Sequence, residues 1–207
     1  MKIVFATGNK DKLNEIREIM ADAFEDTEVI SMKEAGFSGD IEENGTTFEE
    51  NAMIKAEAVF DKLRGTKFSE YIVLSDDSGL EIDCLNKEPG IYSARYMGKD
   101  TSYAIKNAEL IRRVDEVGND RTARFVCTVA ACFPDGSKKV VRGTVEGEIA
   151  HEPKGENGFG FDPIFYLPER GMTTAEMPPH KKHEISHRGR ALRLIKEEIV
   201  KYAHSHN

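Results

Sequence analysis

Lys2-Ile3-Val4-Phe5-Ala6 runs into Thr7-Gly8-Asn9, and from Lys10 to Ala23 apolar residues fall at Leu13, Ile16, Ile19, Met20 and Ala23. A β-branched and aromatic run, a Gly-bearing turn and then a helical period read as strand, loop and helix. That opening sets the expectation of an α/β chain, which the rest of the sequence extends. Thr27 to Met32 supplies a second strand, and Lys33 to Gly45 a polar loop. Thr47-Phe48-Glu49-Glu50 is a capping box that opens a helix with Phe48, Ala52, Ala56, Val59 and Leu63 on one face. Tyr71 to Leu74 reads as a strand ending in Ser75-Asp76-Asp77-Ser78-Gly79, with Leu80 to Cys84 as a short strand beyond it. Asn86 to Lys99 reads as a loop, and Thr101 to Val117 as a helix with Ile105, Ala108, Ile111 and Val114 in phase. Thr122 to Phe133 and Lys138 to Ala150 flank the hairpin signal Pro134-Asp135-Gly136. A Gly-rich loop from His151 to Asp162, a strand from Pro163 to Leu167, a break at Pro178-Pro179 and a helix capped by Ser186 complete the chain. The last helix turns Leu192, Ile195, Ile199 and Tyr202 inward. The hairpin makes the sheet mixed, and no linker divides residues 1–207, which read as one domain.

Composition narrows the function. Against 29 Lys and Arg stand 37 Asp and Glu, a net charge of −8. A chain that coats nucleic acid or an anionic membrane carries a basic excess, so neither is expected as a partner. No apolar stretch approaches the ~18 residues of a spanning helix, and the short run Ile3 to Ala6 followed by a turn does not read as a secretory leader. Cys84, Cys127 and Cys132 are odd in number and lack CxxC spacing; Cys127 and Cys132 fall on opposite faces of one strand. Buried thiols in a reducing, cytoplasmic compartment are the expectation.

Four stretches carry possible chemistry. Thr7-Gly8-Asn9-Lys10-Asp11-Lys12 places backbone N–H groups at a helix start, where an anion is favoured, with Lys12 one turn in. It is neither GxxxxGK[ST] nor GxGxxG, and taken alone it reads first as an ordinary βα turn with Asn9 as N-cap. Asp76 and Asp77 offer adjacent carboxylates for Mg²⁺ or for a general base, although Asp-Asp-Ser-Gly is also good turn chemistry. Glu42-Glu43 could add a metal ligand. In Gly158-Phe159-Gly160-Phe161-Asp162-Pro163, glycines let an aromatic ring lie against a planar base, or the rings simply anchor a tight turn. The basic stretch Lys181 to Gly189 holds Lys182, His187 and Arg188, donors suited to a carbonyl-rich base or to phosphate. His180, His183 and His187 lack the partners of a clean zinc set.

In this order, Thr7-Gly8-Asn9 with Lys12, Glu42 to Ala52, Ser75 to Leu80, Pro89 to Tyr96, Gly158 to Phe165 and Ile185 to Gly189 closely resemble the inosine triphosphate pyrophosphatase family. The resemblance implies an elongated mixed β-sheet flanked by helices, two lobes around a central cleft, and a homodimer. It implies hydrolysis of ITP, dITP or XTP to the monophosphate and pyrophosphate with Mg²⁺. Carried over, Thr7, Gly8, Asn9, Lys10, Asp11 and Lys12 hold the triphosphate, and Asp77 is the catalytic carboxylate and a metal ligand. Glu42 is the second metal ligand and Ser78 a substrate contact, while Phe159, Gly160, Phe161, Asp162, Lys182, His187 and Arg188 frame the base. Phe161 stands where many relatives carry Tyr, and Pro178-Pro179-His180 replaces a more helix-compatible approach to Lys182. A one-residue slip at the strand end would exchange Asp76 and Asp77 as the group that meets water. The rival readings are a pyrophosphatase of pyrimidine nucleotides and a nucleotide-binding module without turnover.

Overall fold

A computed structural model describes residues 2–23 and 27–206. Its seven strands are β1 (Lys2–Phe5), β2 (Glu28–Ser31), β3 (Ile72–Ile82), β4 (Thr122–Cys132), β5 (Lys138–Ile149), β6 (Phe165–Leu167) and β7 (Met172–Thr173). They form one sheet in the order β2-β1-β3-β4-β5-β6-β7. β1 is parallel to β2, with Ile3 opposite Val29, and parallel to β3, with Ile3 opposite Ile72. β6 is antiparallel to β5 and to β7, so the sheet is mixed. The α-helices are α1 (Lys10–Ala23), α2 (Phe48–Leu63), α3 (Tyr103–Val117), α4 (Pro179–Ile185) and α5 (His187–Ser205). No described helix is long and apolar enough to cross a membrane.

The chain divides into two compact units. The first comprises Met1–Asp77, Cys127–Gly143 and Arg188–Asn207; the second comprises Ser78–Val126 and Thr144–His187. In the first, strand alternation separates two sets of side chains. Ile3, Phe5, Leu74, Cys127 and Val129 pack with Ile16 and Met20 of α1 and with Leu192 and Ile195 of α5. Val4, Ala6, Val73 and Cys132 pack with Ala52, Ala56 and Val59 of α2. Helices thus cover both faces of this part of the sheet, and each large apolar side chain fully buried there contributes about 1.5–3 kcal/mol. In the second unit, Leu80, Ile82, Phe125, Val145 and Phe165 pack with Leu110 and Val114 of α3. All three cysteines are free thiols, and Cys127 and Cys132 lie on opposite faces as their spacing requires.

Several elements differ from their sequence expectation. β3 is one continuous strand: Ser75 to Gly79 is not a solvated turn but its middle. β-Ladder pairing and burial on both sides override the turn preference of Asp, Ser and Gly. α3 turns Lys106, Asn107, Leu110, Ile111 and Val114 inward, while Ile105 is 55% exposed. Two polar residues on the buried face displaced the expected apolar phase. Pro178-Pro179 does not interrupt structure; Pro179 is the first residue of α4, where its fixed φ and missing N–H suit a helix start. At the head of α2, Thr47 Oγ1 accepts the Glu50 N–H (3.1 Å), but the Glu50 carboxylate turns to the N–H and hydroxyl of Thr46.

Candidate active site

Alternation along β3 gives Asp76 and Asp77 different neighbours. Ser75 and Asp77 share the face of Val73, toward α2, and the Ser75 hydroxyl donates to the Ala52 carbonyl of that helix. Asp76 shares the face of Leu74, toward α1 and α5. Its carboxylate lies 2.9 Å from Lys12 Nζ and 3.4 Å from Arg188 Nη2, and its side chain is 1% exposed. Arg188, equally buried, also forms a close ion pair with Glu15 of α1. Burial works against the guanidinium's charge, but Glu15 and Asp76 outweigh it and hold its pKa above the ordinary arginine value.

Asp77 lies 3.5 Å from Lys55 of α2, and Lys55 Nζ donates to Glu43 at 2.7 Å. Burial pushes the Asp77 carboxyl above the usual aspartate value; Lys55 and Lys12 oppose the shift, and Glu43 and Asp76 add to it. For Lys55, burial favours the neutral amine, but Asp77, Asp76 and Glu43 prevail and its pKa is raised. Lys12 therefore acts on both aspartates, and the head of α1 meets the acidic segment of β3. Among the described residues, these contacts join four carboxylates (Glu15, Glu43, Asp76, Asp77) to three cations (Lys12, Lys55, Arg188), one more acidic group than basic.

The loop before α1 is a helix start with an exposed approach. Asn9 Oδ1 accepts the N–H groups of Asp11 (2.9 Å) and Lys12 (3.1 Å), and Thr7 Oγ1 accepts that of Asn9 (3.2 Å). Gly8, Asn9, Lys10 and Asp11 are exposed. The anion-binding and N-cap readings are compatible, since capping fixes the backbone that would present the remaining donors.

Glu43 stands in the immediate surroundings of Lys55 and Asp77, and its chain neighbour Glu42 is exposed. Its loop is tied to α2 by the Gly45 N–H, which donates to Asn51 Oδ1 at 2.9 Å. A Cβ on Gly45 would sit 2.7 Å from that oxygen and from Glu50 Cβ, so the close approach requires glycine. Among the described residues, no group of three or more His, Cys, Asp and Glu side chains forms a metal cage. Mg²⁺ normally takes one or two carboxylates and completes its shell with water and substrate phosphate. Asp77 with the Glu42–Glu43 loop fits that mode, and the acidic excess suits a cation.

In the second unit, Asp162 is the hub of the Phe159–Asp162 loop. Its buried carboxylate accepts from Phe159 N–H (2.8 Å), Thr174 Oγ1 (2.8 Å) and Lys182 Nζ (2.7 Å). Gly158 has φ +73°, and a Cβ there would lie 2.2 Å from Asp162 Oδ2. Lys182 Nζ also stands 5.3 Å from the Phe159 ring centre. Phe159 is half-buried, whereas Phe161 is core, edge-on to Tyr103 with centroids 5.3 Å apart. His187 is stacked on Phe125 at 4.7 Å. Ser78, half-buried, begins the β3 segment of this unit.

The structure thus brings Lys12 and Asp76 together, with Asp77 beside them, and separately joins Phe159, Asp162 and Lys182. Arg188, grouped by sequence with the base-framing residues, has Glu15 and Asp76 among its contacts. Lys55 escaped the sequence reading. Its signal was a lysine next to Ala56 on the apolar stripe of α2, four residues after the fully buried Asn51.

Comparison with known proteins adds a second line of evidence. The Ham1 family profile matches residues 3–198. A Listeria monocytogenes protein named dITP/XTP pyrophosphatase is 45% identical over 200 residues, 96% of this chain and 95% of that protein. The solved structure of the Staphylococcus aureus Ham1 protein superposes with a TM-score of 0.84 at 42% identity, covering 98% of this chain and 100% of that one. A HAM1 protein from Coxiella burnetii gives 0.83 at 39% identity, covering 97% and 99%.

Proposed function

The chain belongs to the Ham1 family, and on that premise we propose that it hydrolyses noncanonical purine nucleoside triphosphates (dITP, XTP and ITP) to the monophosphate and pyrophosphate. The observation that carries this reading is the 2.9 Å pair of Lys12 and Asp76, which sets a capped helix start against paired carboxylates. A polyphosphate arriving at Thr7 to Lys12 meets backbone donors and an ammonium. Lys12 can exchange part of its contact with Asp76 for phosphate oxygens.

Asp77 then receives the proton of a water that attacks the α-phosphorus in line, while pyrophosphate departs. Such a transfer asks the protein mainly for alignment and charge stabilisation. Asp77 must be ionised to take the proton, and Lys55 and Lys12 oppose the burial that would neutralise it. Asp76, held by Lys12 and Arg188, orients the cations rather than meeting the water. Bound Mg²⁺, held by Asp77 and Glu42 with Glu43 nearby, would neutralise phosphate charge and polarise the phosphoryl group.

The base belongs, in this reading, with Phe159, Gly160, Phe161, Asp162, Lys182 and His187, and Ser78 adds a substrate contact. The Phe159 ring offers a stacking surface, and Lys182 and His187 offer donors toward a 6-oxo group. Adenine would set its 6-amino donor against a protein donor, an unpaired contact that costs about 1–3 kcal/mol, or roughly ten- to a hundredfold. Arg188, a base-framing residue by family resemblance, also anchors Asp76. The family resemblance supports a homodimer, and three free thiols support a cytoplasmic location. Incubation with dITP, XTP, ITP, GTP, dATP and dCTP in the presence and absence of Mg²⁺, with products resolved by ³¹P NMR, tests the function. Pyrophosphate from the first three substrates is expected. Orthophosphate release, preference for a pyrimidine nucleotide, or binding without product would overturn it.

A further inference from the structure

We infer that Asn107 of α3 is a positioning residue for the base-holding loop, setting nucleobase discrimination without touching the substrate. The inference deepens the proposed function and rests on its assignment of Gly158–Asp162 to the base. Asn107 Nδ2 donates to the Gly160 carbonyl at 3.2 Å, across a separation of 53 residues in the chain. One turn earlier on the same helix, Tyr103 meets the Phe161 ring edge-on at 5.3 Å. A Cβ on Gly160 would lie 3.6 Å from the Tyr103 ring. Residues four apart on a helix share a face, so α3 grips the loop at the Gly160 backbone and at the Phe161 ring. Asp162 ties down the other side through Phe159 N–H, Thr174 and Lys182. The half-buried Phe159 ring lies within the segment so fastened.

Cost separates this from simple packing. Asn107 is 3% exposed, and its Oδ1 has no hydrogen-bond partner among the described residues. A buried amide that leaves its acceptor unmet is worse for stability than an apolar side chain of similar size. Leu110, Ile111 and Val114 continue the same face, so a leucine at this position suits the surroundings. What leucine cannot do is hold the Gly160 carbonyl. Asn107 therefore serves the loop at the expense of the core.

The test is Asn107→Leu in the full-length protein. The expected result is a melting temperature equal to or above wild type and kcat/KM for dITP lowered about tenfold, the worth of one hydrogen bond. The preference for dITP over dATP should shrink by a similar factor, while the inhibition constant of inorganic tripolyphosphate, which has no base, stays unchanged. Amide hydrogen exchange across Gly158–Asp162 should accelerate. Unchanged discrimination with unchanged exchange would overturn the inference, as would a melting temperature that falls together with every kinetic constant. If Asn107→Leu fails to fold, Asn107→Ala, smaller and with no donor for Gly160, gives the same readouts; failure of both to fold assigns Asn107 to the core and overturns the inference. A wild-type protein inert toward dITP refutes the proposed function instead. The exchange measurement then decides the positioning role alone: faster loop exchange supports it and unchanged exchange overturns it.

Discussion

Asp76 and Asp77 are chain neighbours with opposite energetic roles, and replacing each by Asn should separate stability from turnover. Asp76 is 1% exposed at its side chain and lies between Lys12 and Arg188. Asp76→Asn removes a buried counter-charge that Lys12 and Arg188 share, with Glu15 still facing Arg188, a change that costs about 3 kcal/mol. For a chain of this size each kcal/mol moves the melting temperature by roughly 2–4 °C, so a fall of about 10 °C is expected. Asp77 is the reverse case. Its carboxyl is pushed up by burial, so the fold already disfavours its charge. Asp77→Asn removes that penalty along with the attraction of Lys55, and metal-free stability should stay within about 1 kcal/mol of wild type. Turnover should fall by about 10²–10⁴, the worth of a positioned general base. Thermal melts in EDTA and initial rates with dITP and Mg²⁺ give both quantities. A melting temperature for Asp77→Asn as low as that of Asp76→Asn, or near-normal kcat in Asp77→Asn, would refute the reasoning.

Gly45→Ala puts a Cβ 2.7 Å from Asn51 Oδ1 and Glu50 Cβ and should displace the Glu42–Glu43 loop. About 2 kcal/mol of destabilisation and a higher Mg²⁺ requirement are expected, read by melting and by a Mg²⁺ titration of rate; unchanged values for both would contradict the geometry. Asp83 is held below its usual 3.8 by hydrogen bonds from Arg124 and Lys87, and Glu34 below its usual 4.5 by the Ser31 N–H and hydroxyl. Because both folded pKa values are depressed, their stabilisation is present above those usual values and is lost as pH falls through them toward the folded ones. Urea midpoints between pH 6 and 3 should decline less steeply in Asp83→Asn than in wild type, whereas Asp77, raised, works in the other direction in both proteins; equal slopes would remove Asp83 from the acid response. The Cys132 thiol is pushed up to about 11 by burial, Cys127 is buried, and Cys84 is raised by burial. A thiol reagent at pH 8 should react slowly with the native protein and with all three cysteines in denaturant without reductant; fast native labelling of Cys127 or Cys132 would contradict their burial.

Much of this arrangement was legible because its signals are local. The bounds of α1 follow from one apolar stripe, and the β4–β5 hairpin from Pro134-Asp135-Gly136. The opposite faces of Cys127 and Cys132 follow from strand parity alone. What stayed hidden depends on distant partners. Asp-Asp-Ser-Gly has every local reason to turn, yet β3 runs through it because Lys12, Lys55 and Arg188 from three helices compensate the buried charge. Lys106 and Asn107 moved the inward face of α3 away from Ile105 for a similar reason: Asn107 answers to Gly160, far along the chain. Arg188 follows His187 in sequence, but the first packs against acids of one unit and the second against Phe125 of the other.

The central claim is that water, delivered by Asp77, attacks the α-phosphorus. Hydrolysis of dITP in ¹⁸O-labelled water, with both products analysed by mass spectrometry, tests it directly. The label should appear in the monophosphate and be absent from pyrophosphate. Label in pyrophosphate would mean attack at the β-phosphorus and would contradict the alignment proposed for Asp77.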